Sequence, residues 1–147
     1  MLEELFFALG LVNNVFLIII FLVRGTRGLA PLQRFGWTYL LLAAPAVFGM
    51  VLVWQEQKAA QYSIFLGIFL AFLVMECLYD FVWKVPFRQN WKMAVPYLCL
   101  YFAMNYGFVV MVWKISLVGG LIMTGLFIVQ IIMNMVTHPR RRREKAP

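Results

Sequence analysis

The chain has 147 residues, of which 64% are hydrophobic and 13% charged, with a net charge of +7. Soluble domains run at roughly a quarter charged and about half apolar, so this chain has too few polar side chains to cover itself in water. A soluble enzyme, a secreted disulfide scaffold and a disordered chain are excluded, which leaves an all-α, multi-pass transmembrane helical bundle.

A helix needs about 20 apolar residues to cross a hydrocarbon core about 30 Å thick, and five stretches qualify. The first covers 5–23 and stops at Arg24-Gly25-Thr26-Arg27-Gly28. Glu3 and Glu4 stand where a signal peptide carries basic residues, and no Ala-x-Ala-like site follows, so this span is expected to remain as an anchor. The second covers 35–54, with Pro45 near its middle. Proline has no N–H to give the Leu41 carbonyl, and a kink is expected there. Asn13 or Asn14, at matching depth on the first span, is expected to satisfy backbone groups that the kink loosens.

The third span covers 61–83 and closes at Lys84-Val85-Pro86. Residues 93–136 then form a 44-residue tract whose only charge is Lys114. As one helix it would be about 66 Å long, twice what a bilayer hides. It must fold back, and Trp113-Lys114-Ile115-Ser116 is the natural corner, giving spans over 93–113 and 115–136. Pro96 is expected in the first turn of its helix, where a missing N–H is harmless. The organisation is one five-helix domain over 1–137 and a basic tail over 138–147. Barrel strands are excluded because they alternate apolar and polar residues, whereas these runs are continuously apolar.

Charge suggests the orientation. The first loop carries Arg24, Arg27 and Arg34, the third carries Lys84, Arg88 and Lys92, and the C-terminus carries Arg140, Arg141, Arg142, Arg143 and Lys145. The second loop has only Lys58 and the fourth only Lys114. Under the positive-inside rule the N-terminus is expected outside and the C-terminus in the cytoplasm of a bacterial-type inner membrane. Trp37, Trp54, Trp83, Trp91 and Trp113 all fall at or just beyond a span end, where an indole has both apolar surroundings and water. Lys84, Arg88, Lys92 and Arg140 to Arg143 are the expected contacts to anionic lipid headgroups. Nucleic acid is not an expected partner, because the positive charge lies against the membrane.

The polar residues inside the spans are the informative ones. Glu76 lies near the midpoint of the third span, where an ionised carboxylate costs about 2.5 kcal/mol or more, so it must be neutral, paired or hydrated. Asp80 is one turn on along the same face, and two adjacent anions raise the proton affinity of one of them, which burial makes Glu76. Lys84 at i+4 and Arg88 are expected partners of Asp80. Depth matching puts Tyr97 and Tyr101 within reach of Glu76. Asn105 lies slightly beyond the midplane, and Gln130 and Asn134 share a face of the fifth span. With Asn13 and Asn14, these residues are expected to converge on one buried polar cluster, either as glue between helices or as a protonatable site.

Small residues mark where helices can approach closely in lipid. Ser116, Gly120 and Thr124 recur on the fifth span, Ser63, Gly67 and Ala71 on the third, and Ala43, Ala44, Ala46 and Gly49 surround Pro45. These stripes are expected to join helices within one chain, and a homo-oligomer through one of them is compatible with so thin a bundle. The third span is expected to need protein on both sides, since its acids face away from its small residues. Cys77 and Cys99 belong to no Cys-x-x-Cys motif and are expected to be free and buried, as small hydrophobes.

No catalytic set is legible. The only histidine, His138, lies beyond the last span, no spacing resembles a metal site, and no cofactor is expected. The sequence therefore points first to a non-enzymatic accessory or interaction subunit, working in a homo-oligomer or with a heteromeric membrane partner. A minimal proton-coupled transporter or channel using Glu76 in an oligomeric pathway is the second reading. A lipid-modifying enzyme at the cytoplasmic interface, through Asp80, Lys84 and Arg88, is the third.

Overall fold

The computed structural model describes residues 1–27, 36–83 and 90–143, with Arg24, Arg27 and the last seven of these described by backbone alone. Every regular element among them is helical. In chain order they are α1 (Leu2–Arg27), α2 (Trp37–Leu40), α3 (Ala43–Gln55), α4 (Ala60–Glu76), a π-helical segment (Cys77–Val82), α5 (Trp91–Ile115) and α6 (Leu117–Arg143). Five stretches are long and apolar enough to cross a membrane: Leu2–Val23, Trp37–Gln55, Ala60–Val82, Trp91–Ile115 and Leu117–Val136. Their ends lie within a few residues of those read from hydropathy. The domain boundary at 137 corresponds to no break in the helix, since α6 runs on through Arg143.

Sequential helices pack on one another from α3 to α6, and α1 closes the bundle by lying against α3, α5 and α6. The core at the end of the bundle that holds the α1 N-terminus is aromatic. Phe6 meets Tyr62 edge-on at 5.3 Å and Phe108 at 5.1 Å, and Phe108 meets Phe69 at 5.3 Å. Phe6, Phe69 and Phe108 are all fully buried, with Met104, Met111 and Met123 filling the gaps between them. Lys58 binds Glu3 at 2.9 Å and ties the turn after α3 to the start of α1. That hydrogen bond and the Glu3 charge hold the Lys58 ammonium above its ordinary range.

The second span departs from expectation in an instructive way. It is interrupted at Leu41 and Leu42, between α2 and α3, one turn before Pro45. Leu41 and Leu42 donate three residues back, to the Thr38 and Tyr39 carbonyls, and the Leu41 carbonyl that Pro45 cannot serve accepts from the Ala44 N–H at 3.1 Å. Tighter local bonds thus satisfy the backbone, so Asn13 and Asn14 are not needed there. Pro96 is also placed differently. Because α5 begins at Trp91, with Asn90 capping the Lys92 N–H at 3.1 Å, Pro96 lies in the second turn and removes one helical bond.

The corner between the last two spans is where the sequence puts it. Ser116 alone leaves the helical conformation, at φ −154° and ψ 130°. The Trp113 ring covers Gly120, and its Nε1 donates to Thr124 Oγ1 at 3.0 Å. All five tryptophans sit at or near helix ends and are exposed.

The small-residue stripes divide. Gly49 packs on Leu66 and Leu5, and Gly119 and Gly120 pack on Val112 and Trp113, all within the chain. A Cβ at Gly67 would meet nothing within 4 Å, and Ala71 is exposed, so the stripe on α4 faces outward. The expectation of protein on both sides of this helix is not met within one chain. The tightest approaches are at Gly107, where a Cβ would run into the Phe65 ring, and at Gly120, against the Trp113 ring, followed by Gly10, against Phe108 and Met123. Gly107→Ala should therefore lower stability in thermal unfolding in detergent by about 1–3 kcal/mol through overpacking. Gly67→Ala should be neutral or stabilising by up to about 1 kcal/mol.

Candidate functional site

The polar residues predicted to gather do so in the half of the bundle away from the aromatic core. Phe72 of α4, fully buried, is the hub around which three tyrosine rings assemble. Its ring centroid lies 5.3 Å from that of Tyr97, 6.3 Å from Tyr101 and 6.5 Å from Tyr39. Tyr97, Tyr101 and Asn105 recur every four residues and occupy one buried face of α5.

Each hydroxyl goes to a different helix. Tyr97 donates to Glu76 Oε1 at 2.6 Å, Tyr101 donates to Gln130 Oε1 at 2.8 Å, and Tyr39 donates to Asn13 Oδ1 at 2.6 Å. Gln130 in turn donates through Nε2 to Asn14 Oδ1, and Asn14 Nδ2 donates to the Gly10 carbonyl at 2.7 Å. A continuous chain of side chains thus joins α5, α6 and α1. Asn13, Asn14, Gln130 and Asn105 are 0–1% exposed, so these bonds replace water that the site excludes.

Glu76 is buried at the end of α4, where the helix changes character. From Cys77 to Val82 the backbone widens into a π-helix, and the Trp83 N–H closes it by donating to the Leu78 carbonyl, five residues back, at 2.8 Å. Such segments cluster at functional sites. Asp80 follows Glu76 by one turn, and both residues line one cavity. The pair faces the second span across a cavity of about 30 Å³, bounded by Gly36, Tyr39 and Leu40 on one side and Glu76, Asp80 and Phe81 on the other. That volume admits about two water molecules.

Two of the expected contacts are corrected. Tyr97, not Tyr101, is the donor to Glu76, because Tyr101 is engaged by Gln130. Asn105 is drawn in by burial but turns back to the Tyr101 carbonyl of its own helix at 2.9 Å, leaving its Oδ1 without a partner. Asn134 lies one turn beyond Gln130 and is half-buried. Lys84 and Arg88 lie outside the described residues, as do the side chains of Arg140, Arg141, Arg142 and Arg143, while Lys92 is exposed at the start of α5. Both cysteines are free as expected but not buried among the helices, Cys77 being half-buried and Cys99 exposed on the outer face of α5.

Tyr39 is the residue that sequence reading missed. Two positions from Trp37 it reads as a membrane-interface aromatic, and nothing local marks it as buried. The orphaned polarity of Asn13 is the only signal that could have called for a donor at that depth.

No family model, no curated protein and no solved structure matches the chain.

The Tyr101–Gln130 bond should behave as interhelical glue. Tyr101→Phe should cost about 0.6 kcal/mol, and at most about 1.7 kcal/mol, in reversible unfolding. Combined with Gln130→Leu, the losses should be less than additive.

Proposed function

We propose that this chain is a multi-pass protein of a bacterial-type inner membrane that works as a minimal proton-coupled transporter or channel for a small solute. Glu76 and Asp80 form its proton-binding pair. The observation that carries this reading is the water-sized cavity that Glu76 and Asp80 both line, with Tyr97 holding the Glu76 carboxyl inside the bundle. With both carboxyls protonated, the pair is neutral and tolerated in a medium of low dielectric constant. Deprotonated, it is an anion that draws water or a cation toward it. Such ionisable groups inside a membrane mark ion and proton pathways by default.

The distribution of Lys and Arg supports an N-terminus outside and a C-terminus in the cytoplasm, with the basic segments against anionic headgroups. That orientation puts Asp80 nearer the cytoplasm than Glu76. The cavity suits water and protons and is too small for a solute, which supports a solute path formed between chains. The outward stripe of Ser63, Gly67 and Ala71 supports a neighbouring helix at that face. The same stripe favours the second reading, a non-enzymatic accessory subunit whose α4 docks on a membrane partner.

Glu76→Gln separates the two. The amide oxygen still accepts from Tyr97, so the fold should survive, while the proton is lost. In proteoliposomes with an entrapped pH dye, the wild type should carry a pH-driven proton flux that Glu76→Gln reduces to the level of empty vesicles. Undiminished flux in the variant, or none in the wild type, would contradict the transporter reading.

A further inference from the structure

Among the described residues, Asn13 Nδ2 is a fully buried donor with no acceptor. Its Oδ1 accepts the Tyr39 hydroxyl, so the amide is held by one end only. An orphaned N–H is rarer in folded proteins than an under-used carbonyl oxygen, which leaves this amide poised to turn over. Reversed, it would donate through Nδ2 to the Tyr39 oxygen and release the tyrosine hydrogen. That hydrogen has a destination. Tyr39 borders the cavity onto which Glu76 opens, and one water there suffices as a bridge if the hydroxyl does not reach directly.

We propose that Tyr39 is a positioning residue for the Glu76 proton, its hydroxyl switching between Asn13 and Glu76 as that proton binds and leaves. The inference rests on reading Glu76 as a proton-binding group. With Glu76 protonated, Tyr39 donates to Asn13, the arrangement in the structure. When the proton leaves, Tyr39 turns toward the carboxylate and Asn13 turns over to donate to Tyr39. On Asn13 and Tyr39 the hydrogen bonds rise from one to two when the proton leaves, and the unfilled atom changes from a buried N–H to a buried carbonyl oxygen. The anion then has two phenolic donors, Tyr97 from α5 and Tyr39 from the second span. Asp80 faces it from its own helix, Ile20 is the α1 residue at the cavity, and the described lining holds no cation.

The test is an infrared pH titration of the full chain in lipid nanodiscs, with the carboxylic-acid band of Glu76 identified by subtracting the spectrum of Glu76→Gln. Tyr39→Phe keeps the ring and removes a donor to the anion, so the midpoint should rise by about one to two pH units. Asn13→Leu frees the tyrosine hydroxyl for Glu76, so the midpoint should fall. A merely structural pair would lower stability in both variants without shifts of opposite sign. If Tyr39→Phe does not fold, the direction of the Asn13→Leu shift decides. Midpoints unmoved by both variants, while Tyr97→Phe raises the midpoint, would overturn the switch and leave the proton site standing. Absence of any titrating band lost in Glu76→Gln would overturn the proton site itself.

Discussion

A carboxyl group inside an apolar bundle sets terms for its surroundings. It must stay neutral or find partners, and each partner must come from a side chain that the fold brings to the same depth. Glu76 meets these terms through the Tyr97 hydroxyl on the next span, which donates to its carboxyl at 2.6 Å. The contact with Tyr97 fixes the rotation of α5 relative to α4. With that rotation set, Tyr101 is turned toward Gln130, and the Gln130–Asn14 bond then orients α6 against α1. Four of the five spans are thus indexed by polar contacts that trace back to a single acid.

The backbone irregularities fit the same constraint. Non-helical backbone at membrane depth is tolerated where it is buried, re-bonded locally or beside a hydrated cavity. The second span is interrupted immediately after Tyr39 and Leu40, and the third turns π-helical immediately after Glu76. Both departures flank the cavity. The first traces to Pro45, and the wide turn of the second keeps Asp80 on the side of Glu76. The aromatic packing of Phe6, Phe69 and Phe108 in the other half of the bundle contains no such break and no buried charge. The two halves therefore differ in kind: one is close-packed and dry, the other polar and bordered by a cavity.

Much of this was legible in the sequence. Continuous apolar runs define five helices, the length of 93–136 demands a corner within Trp113 to Ser116, and the rarity of carboxyls in such runs singles out Glu76. Depth counting brought Asn13, Asn14, Gln130 and both α5 tyrosines to one level, but it could not choose between Tyr97 and Tyr101. One turn of helix separates those two, and which of them faces α4 depends on the rotation of α5. The place of the break before Pro45 was hidden because local three-residue bonds, invisible in composition, satisfy the carbonyl. Small residues misled at α4 and were informative at Gly49 and Gly120. Spacing marks a face able to approach another helix, and only packing shows whether one is there. Gly107, which carries the closest approach, and Gly10 sit in no stripe.

The account stands on the proximity and protonation of one pair, and solid-state NMR in lipid bilayers addresses both. With ¹³C at glutamate carboxyls and tyrosine ring carbons, the protein should show a through-space correlation between Glu76 Cδ and Tyr97 Cζ. The Glu76 carboxyl shift should be that of a protonated acid near neutral pH. A Glu76 carboxyl with the shift of an ionised group, correlated with bulk water and with no tyrosine, would contradict it.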